Sequence, residues 1–156
     1  MKRILFVCTG NVCRSPMAAG LMRQRLHDAG LDAQVSVSSA GIYALDGKPA
    51  SANAQITLGQ RGIDISDHVG HTLEVADLKA ADIVLVMEEA HRRSIFYTAP
   101  QYLGKVFLLS EMSGKHDDVH DPYGEALVEY ERCANNLEQL LTQGEPQILR
   151  RLGIAE

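Results

Sequence analysis

The sequence has no long hydrophobic run. Its longest strongly apolar stretches are "ILFV" at 4–7 and "IVLVM" at 83–87, and both have the length of a strand. A membrane-spanning helix needs about 20 apolar residues, and a signal-peptide core needs about 7 to 15. Neither kind of segment is indicated, so we expect a cytoplasmic protein with no membrane partner.

Cysteine and basic residues are also scarce. Three cysteines among 156 residues are an odd and small number. This argues against a secreted disulfide scaffold and leaves room for one reactive thiol. The 15 lysines and arginines are outnumbered by 20 acidic residues, and they form no basic stripe, which argues against nucleic acid as a partner. Any affinity for phosphate must therefore come from local geometry.

No low-complexity or Pro/Gly/Ser-rich linker divides the chain, so we expect residues 1–156 to form a single domain. Apolar, strand-like runs alternate with segments of helical periodicity. This alternation predicts an α/β fold with three α/β/α layers and a four-stranded parallel sheet. The predicted strands are 2–7, 33–41, 81–87 and 104–110, and the predicted helices are 15–30, 51–61, 88–97 and 125–143.

The stretch "CTGNVCRS" joins the first strand to the first helix, and in open α/β sheets ligands bind at such loops. Backbone N–H groups at a helix N-terminus attract a phosphate-like dianion. Gly10 lets the chain curl, Asn11 tolerates a left-handed conformation, and Arg14 offers a planar fork for two oxygens. The predicted phosphate-binding residues are Thr9, Gly10, Asn11, Val12, Cys13, Arg14 and Ser15.

Cys8 stands at the head of this loop, where the helix field and Arg14 both favour a thiolate. It is therefore the candidate nucleophile for attack on a phosphate monoester, and Ser15 is placed to support the sulfur as a leaving group. The reaction also needs an acid and base. Asp121 is the best candidate because Pro122 restricts its backbone, and Asp117 and Asp118 are the reserves.

These residues carry a resemblance to a known family. The run from Cys8 to Pro16, together with "DPY" at 121–123, resembles the low-molecular-weight protein tyrosine phosphatases. The likeness extends through "SAG" at 39–41, "GKP" at 47–49 and "ADIVLVM" at 81–87, so it covers nearly the whole chain.

The resemblance implies catalysis by Cys8, Arg14 and Asp121, with no metal and no cofactor. It also implies that Asn11, Ser39 and His68 support the shape of the loop. Leu45 and Tyr123 are expected at the rim of the substrate site. An aliphatic residue such as Leu45 at this rim resembles the bacterial branch of the family. That branch is paired with autophosphorylating tyrosine kinases of capsule and exopolysaccharide synthesis, so a phosphotyrosine protein, such as a bacterial tyrosine autokinase, is the expected partner.

Several alternatives stay open at this stage. Cys13 either packs in the core or forms a disulfide with Cys8 on oxidation. An arsenate reductase on the same scaffold would need two further thiols in a mobile segment near the loop, and the sequence has none between Arg14 and Arg132. A non-catalytic phosphate-binding module would need neither a thiol nor an acid. His68 and His71 have the spacing of a metal pair, but no ligand set completes a site.

Overall fold

The structure is a computed structural model, and it describes residues 1–154. The four strands are β1 (Lys2–Cys8), β2 (Val35–Gly41), β3 (Ile83–Val86) and β4 (Val106–Leu108). The five α-helices are α1 (Arg14–Asp28), α2 (Ala52–Gly59), α3 (Val75–Ala80), α4 (Glu89–Thr98) and α5 (Leu127–Arg151). Two short 3-10 helices, Pro100–Lys105 and Leu109–Ser113, flank β4.

The strands form one parallel sheet in the order β2-β1-β3-β4. The predicted four-stranded parallel sheet within an α/β fold is therefore confirmed. β1 is central, with Cys8 opposite Gly41 of β2 and Val7 opposite Val86 of β3. Because β2 and β3 lie on opposite sides of β1, the loop after β1 is at a topological switch point, where open sheets bind ligands.

Alternate residues of β1 point into two separate cores. Ile4, Phe6 and Cys8 belong to the core that contains the buried faces of α1, α2 and α5. Leu5 and Val7 belong to the core formed with α3 and α4. Both faces of the strand are thus buried, which explains why its sequence shows no polar alternation.

The last helix is longer than the predicted 125–143. It continues through Gly144 and Pro146 to Arg151 because Ile148 is fully buried in the core. Gly144 is required for the close packing on the second 3-10 helix, since a Cβ there would lie 2.8 Å from Met112 Cβ. Glycine and proline usually end helices, so the sequence pattern alone does not indicate this extension.

Two further differences concern the first and third helices. α1 begins at Arg14, one residue before the predicted start at residue 15, and Cys13 is its N-cap residue. The short helix α3 was not predicted because its six residues bury only Leu78, too little to produce a periodic pattern. No helix within residues 1–154 is both long enough and apolar enough to cross a membrane.

Candidate active site

The sulfur of Cys8 lies at the carboxyl end of β1 and accepts hydrogen bonds from the loop that follows. The Asn11 backbone N–H donates to Cys8 Sγ at 3.3 Å, and Ser15 Oγ is 2.9 Å from the same sulfur. Asn11 has a φ of 58°, a left-handed conformation that curls the loop around the sulfur. The turn ends at the N-terminus of α1, where the first backbone N–H groups have no intrahelical acceptor.

The direction of the hydrogen bond between Ser15 and Cys8 follows from Asn11. The side-chain amide of Asn11 donates from Nδ2 to Ser15 Oγ at 2.8 Å. A hydroxyl oxygen that accepts this bond still has its own proton to donate, and the sulfur is the neighbouring acceptor. Ser15 therefore donates to Cys8, and a negative charge on the sulfur strengthens that bond.

Ser39 and His68 both meet the loop through Asn11. Asn11 Nδ2 also donates to Ser39 Oγ at 3.0 Å, and His68 Nε2 is 2.7 Å from the Asn11 carbonyl oxygen. Because a carbonyl only accepts, His68 donates from Nε2; burial lowers the pKa of this histidine, which favours the neutral ring. The His71 backbone N–H completes the set by donating to Asn11 Oδ1 at 2.9 Å.

Arg14 is 1% exposed and is held by two acceptors from other elements. Its Nη1 donates to Glu88 Oε2 at 2.6 Å and to the Val119 carbonyl at 2.8 Å. A buried guanidinium needs such a partner because an unpaired buried charge is costly. Sequence reasoning missed Glu88. Its position two residues after the end of β3, the neighbour of β1, was the available indication.

Asp121 is the one predicted carboxylate that reaches the loop. Its Oδ2 lies 3.4 Å from Arg14 Nη2, and its Oδ1 accepts the Tyr123 backbone N–H at 3.1 Å. The reserves lie elsewhere: Asp118 accepts the backbone N–H of Glu89. Asp117 pairs through its backbone with Ser110.

A cavity of about 200 Å³ stands over Cys8. Polar and apolar side chains both line it, and the predicted rim residues Leu45 and Tyr123 are among them. It is lined by Cys8, Thr9, Gly10, Val12, Cys13, Arg14, Tyr43, Leu45, Asp121 and Tyr123. A larger open cleft of about 510 Å³ lies between α1, β2 and residues 62–65, but no cysteine lines it. The smaller cavity is therefore the candidate active site.

The two other thiols are buried and free. Cys13 Sγ lies 3.3 Å from Tyr130 Oη and 3.5 Å from Ser51 Oγ, and burial raises its pKa. Cys133 packs in the core on α5, and burial raises its pKa to about 12. Both are buried, whereas a thiol relay from Cys8 requires exposed thiols.

His68 and His71 do not share a ligand site. His68 contacts the Asn11 carbonyl, and His71 Nε2 is 2.8 Å from Asp77 Oδ2. Among residues 1–154, one group brings three potential metal-ligating atoms within 4.8 Å of one another. It consists of His120, Glu125 and Glu129 on the surface. None of these three residues lines the cavity over Cys8.

Comparison with known proteins agrees with this geometry. The model of the family described as low molecular weight phosphotyrosine protein phosphatase matches residues 3–151. A probable low molecular weight protein-tyrosine-phosphatase EpsP of Ralstonia solanacearum is 41% identical over 153 residues, covering 98% of this chain and 99% of the relative. A protein-arginine-phosphatase of Bacillus subtilis is 39% identical over 141 residues, covering 90% of this chain and 92% of the relative.

The solved structure of a low molecular weight protein tyrosine phosphatase from T. tengcongensis has the same fold. It superposes with a TM-score of 0.87 at 44% identity and covers 92% of this chain and 97% of that one. The chain belongs to the low molecular weight phosphotyrosine protein phosphatase family, and it is a phosphatase.

Proposed function

We propose that this enzyme hydrolyses phosphotyrosine in proteins, with Cys8 as nucleophile, Arg14 as phosphate clamp and Asp121 as general acid and base. The observation that carries the proposal is the position of Cys8 Sγ. The sulfur accepts bonds from Asn11 and Ser15 at the floor of a cavity that also presents Arg14 and Asp121.

In the first step the Cys8 thiolate attacks phosphorus, and the bond to the tyrosine oxygen breaks. Asp121, in its protonated form, gives its proton to the departing phenolate oxygen, so phenol and a cysteinyl-phosphate are formed. Arg14 and the loop N–H groups stabilise the negative charge on the equatorial phosphate oxygens.

In the second step water attacks the phosphorus of the cysteinyl-phosphate. Asp121, now a carboxylate, accepts a proton from that water, and the sulfur leaves as a thiolate. The Ser15 hydroxyl donates to the sulfur as its negative charge returns. Inorganic phosphate is released, and both catalytic groups recover their starting protonation states.

The residues that line the cavity favour a substrate in which a phenyl ring is attached to the phosphate. Tyr43, Leu45 and Tyr123 provide apolar and stacking surface. A phosphorylated guanidinium, as in the substrate of the arginine phosphatase relative, carries several N–H groups that need acceptors. Within residues 1–154, Asp121 is the one carboxylate that lines this cavity. Phosphotyrosine is therefore favoured over phosphoarginine.

We further propose that the substrate protein is a cytoplasmic tyrosine autokinase of capsule or exopolysaccharide synthesis. The aliphatic rim residue Leu45, which is 42% exposed at the cavity, supports this assignment. Cys8→Ser and Asp121→Ala retain the phosphate loop, which is the turn of residues 8–15, and slow turnover, so either variant is suited to trapping the substrate. Recovery of a tyrosine-phosphorylated kinase that phosphate displaces is the expected result. Recovery of other phosphoproteins alone would contradict the assignment.

Hydrolysis of matched phosphotyrosine and phosphoarginine peptides tests the proposed activity. We expect the wild type to prefer phosphotyrosine. Cys8→Ser should lose turnover while still binding phosphate. Asp121→Ala should show its largest loss of rate with substrates that have poor leaving groups. Full activity in Cys8→Ser would rule out the mechanism, and a preference for phosphoarginine would rule out the substrate.

A further inference from the structure

The buried His91 of α4 contacts the phosphate loop, yet the two chemical steps give it no role. It is 4% exposed, and its Nε2 lies 2.9 Å from Thr9 Oγ1. Arg14 Nη2 donates to the same oxygen at 3.2 Å. We propose that His91 is a positioning residue of the phosphatase reaction, which fixes the Arg14 guanidinium through the Thr9 hydroxyl. This inference rests on the proposed function, because it assigns Arg14 to phosphate binding.

The hydrogen bonds of His91 define which nitrogen carries the proton. The Glu88 backbone N–H donates to Nδ1 at 3.1 Å, so Nδ1 is an acceptor. A neutral imidazole then has its proton on Nε2. Burial, followed by the neighbouring Arg14 charge, lowers the pKa of His91 to about 4, so the ring is neutral at pH 7. Nε2–H therefore donates to Thr9 Oγ1.

Thr9 Oγ1 consequently accepts from two sides, from His91 and from Arg14. Both lone pairs of the hydroxyl oxygen are occupied, which fixes its position between the two donors. The Thr9 hydroxyl proton takes part in neither of these two bonds. Thr9 itself lines the cavity over Cys8. Removing the His91 donor frees the Thr9 side chain to rotate, and Arg14 Nη2 then loses a fixed acceptor.

Apart from the bond between Nη2 and Thr9, the hydrogen bonds of Arg14 are made by its other terminal nitrogen, Nη1. Both the Glu88 carboxylate and the Val119 carbonyl accept from Nη1. Nη2 lies towards Thr9 and Asp121. Two oxygens of a phosphate bind a guanidinium in one plane. A small rotation of the Arg14 guanidinium therefore weakens both of its hydrogen bonds to phosphate.

A purely structural role for His91 is the alternative, since its Nδ1 also caps the start of α4. Two variants separate these roles. In His91→Asn, the side-chain oxygen can replace Nδ1 as the acceptor for the Glu88 amide, but no donor reaches Thr9. In His91→Gln, the longer side chain can present an N–H to Thr9, but it leaves the Nδ1 position without an acceptor.

Steady-state kinetics, the Ki of inorganic phosphate and the thermal midpoint of each variant test the proposal. His116 is exposed on the surface, so His116→Asn is the matched control and should behave as wild type. For His91→Asn we expect kcat/KM to fall about tenfold and the phosphate Ki to rise by a similar factor, with little change in thermal midpoint. His91→Gln should recover part of kcat/KM.

Thr9→Val should reproduce the loss, Thr9→Ser should lose less, and the double variant Thr9→Val/His91→Asn should be no worse than either single change. The proposal is overturned if His91→Asn keeps kcat/KM and phosphate Ki within about twofold of wild type. It is also overturned if the losses simply follow thermal stability across the variants. Calorimetric binding of inorganic phosphate needs no turnover, so failure of the substrate assignment is distinguishable from failure of this inference.

Discussion

The Ser15 hydroxyl donates to the Cys8 sulfur across 2.9 Å, and Asn11 Nδ2 fixes that hydroxyl from 2.8 Å. The three side chains form one chain of donors that ends at the nucleophile. The hydrogen bond from Ser15 to Cys8 is already formed before the reaction, because the side-chain amide of Asn11 that orients Ser15 also donates to Ser39. Preorganised donors of this kind stabilise charge where it develops, which in the second step is on the departing sulfur.

Ser15→Ala removes the donor at the sulfur, and we expect kcat to fall. A hydrogen bond to a charged group is worth about 1.5–3 kcal/mol, which corresponds to about 10- to 150-fold in rate. The cysteinyl-phosphate should accumulate because its breakdown becomes slower than its formation. Burst kinetics with p-nitrophenyl phosphate measure both steps. Ser36→Ala, on β2 away from the cavity, is the control, and a Ser15→Ala enzyme with unchanged kcat and no burst would contradict this role.

The left-handed Asn11 predicts an unusual order of stability among its variants. Asn11→Gly and Asn11→Ala both lose the side-chain bonds to Ser15 and Ser39. Alanine also pays for a φ of 58°, whereas glycine does not, so Asn11→Gly should be the more stable of the two by about 1 kcal/mol. Urea unfolding gives the comparison. An alanine variant as stable as the glycine variant would show that the loop does not need this conformation.

The sequence was sufficient to predict the sheet and the loop, for physical reasons. β1 and β3 are apolar on both faces because each is covered on both sides, and the loop combines a glycine, an Asn and an Arg at a strand-to-helix turn. Glu88 and His91 could not be found in this way. They belong to a charged helix start, and their contacts with Arg14 and Thr9 arise only because β3 pairs with β1.

The three thiols should differ sharply in reactivity. Burial raises the pKa of Cys13, and raises that of Cys133 to about 12, so both remain protonated at pH 7.5. Iodoacetamide should therefore label only Cys8 in the folded protein, and inorganic phosphate should protect it. Peptide mass spectrometry identifies the labelled site, and unfolding in urea should expose all three. Rapid labelling of Cys133 in the native protein would be incompatible with the packed position of α5.

The rim residues should affect aryl substrates selectively. Tyr123→Ala and Leu45→Ala each remove apolar surface beside the phenyl ring, so the KM for a phosphotyrosine peptide should rise about 2- to 10-fold, as expected for aromatic contacts of about 0.5–1.5 kcal/mol. β-Glycerophosphate has no ring and should show little change. Tyr97→Ala, an exposed residue of α4, is the matched control. Equal effects on both substrates would indicate damage to the phosphate loop rather than loss of ring contacts.

His91 should also contribute to the pH dependence of stability. Its pKa is lowered from 6.5 to about 4 in the folded protein, first by burial and then by Arg14. The unfolded chain therefore binds the proton more readily, so this contribution to stability is fully present above about pH 6.5 and is lost as the pH falls towards 4. Urea unfolding between pH 4 and 7 should show a shallower loss of stability for His91→Asn than for wild type. His116→Asn should retain the wild-type slope, and identical slopes for all three proteins would mean that the His91 ring is not held neutral by its surroundings.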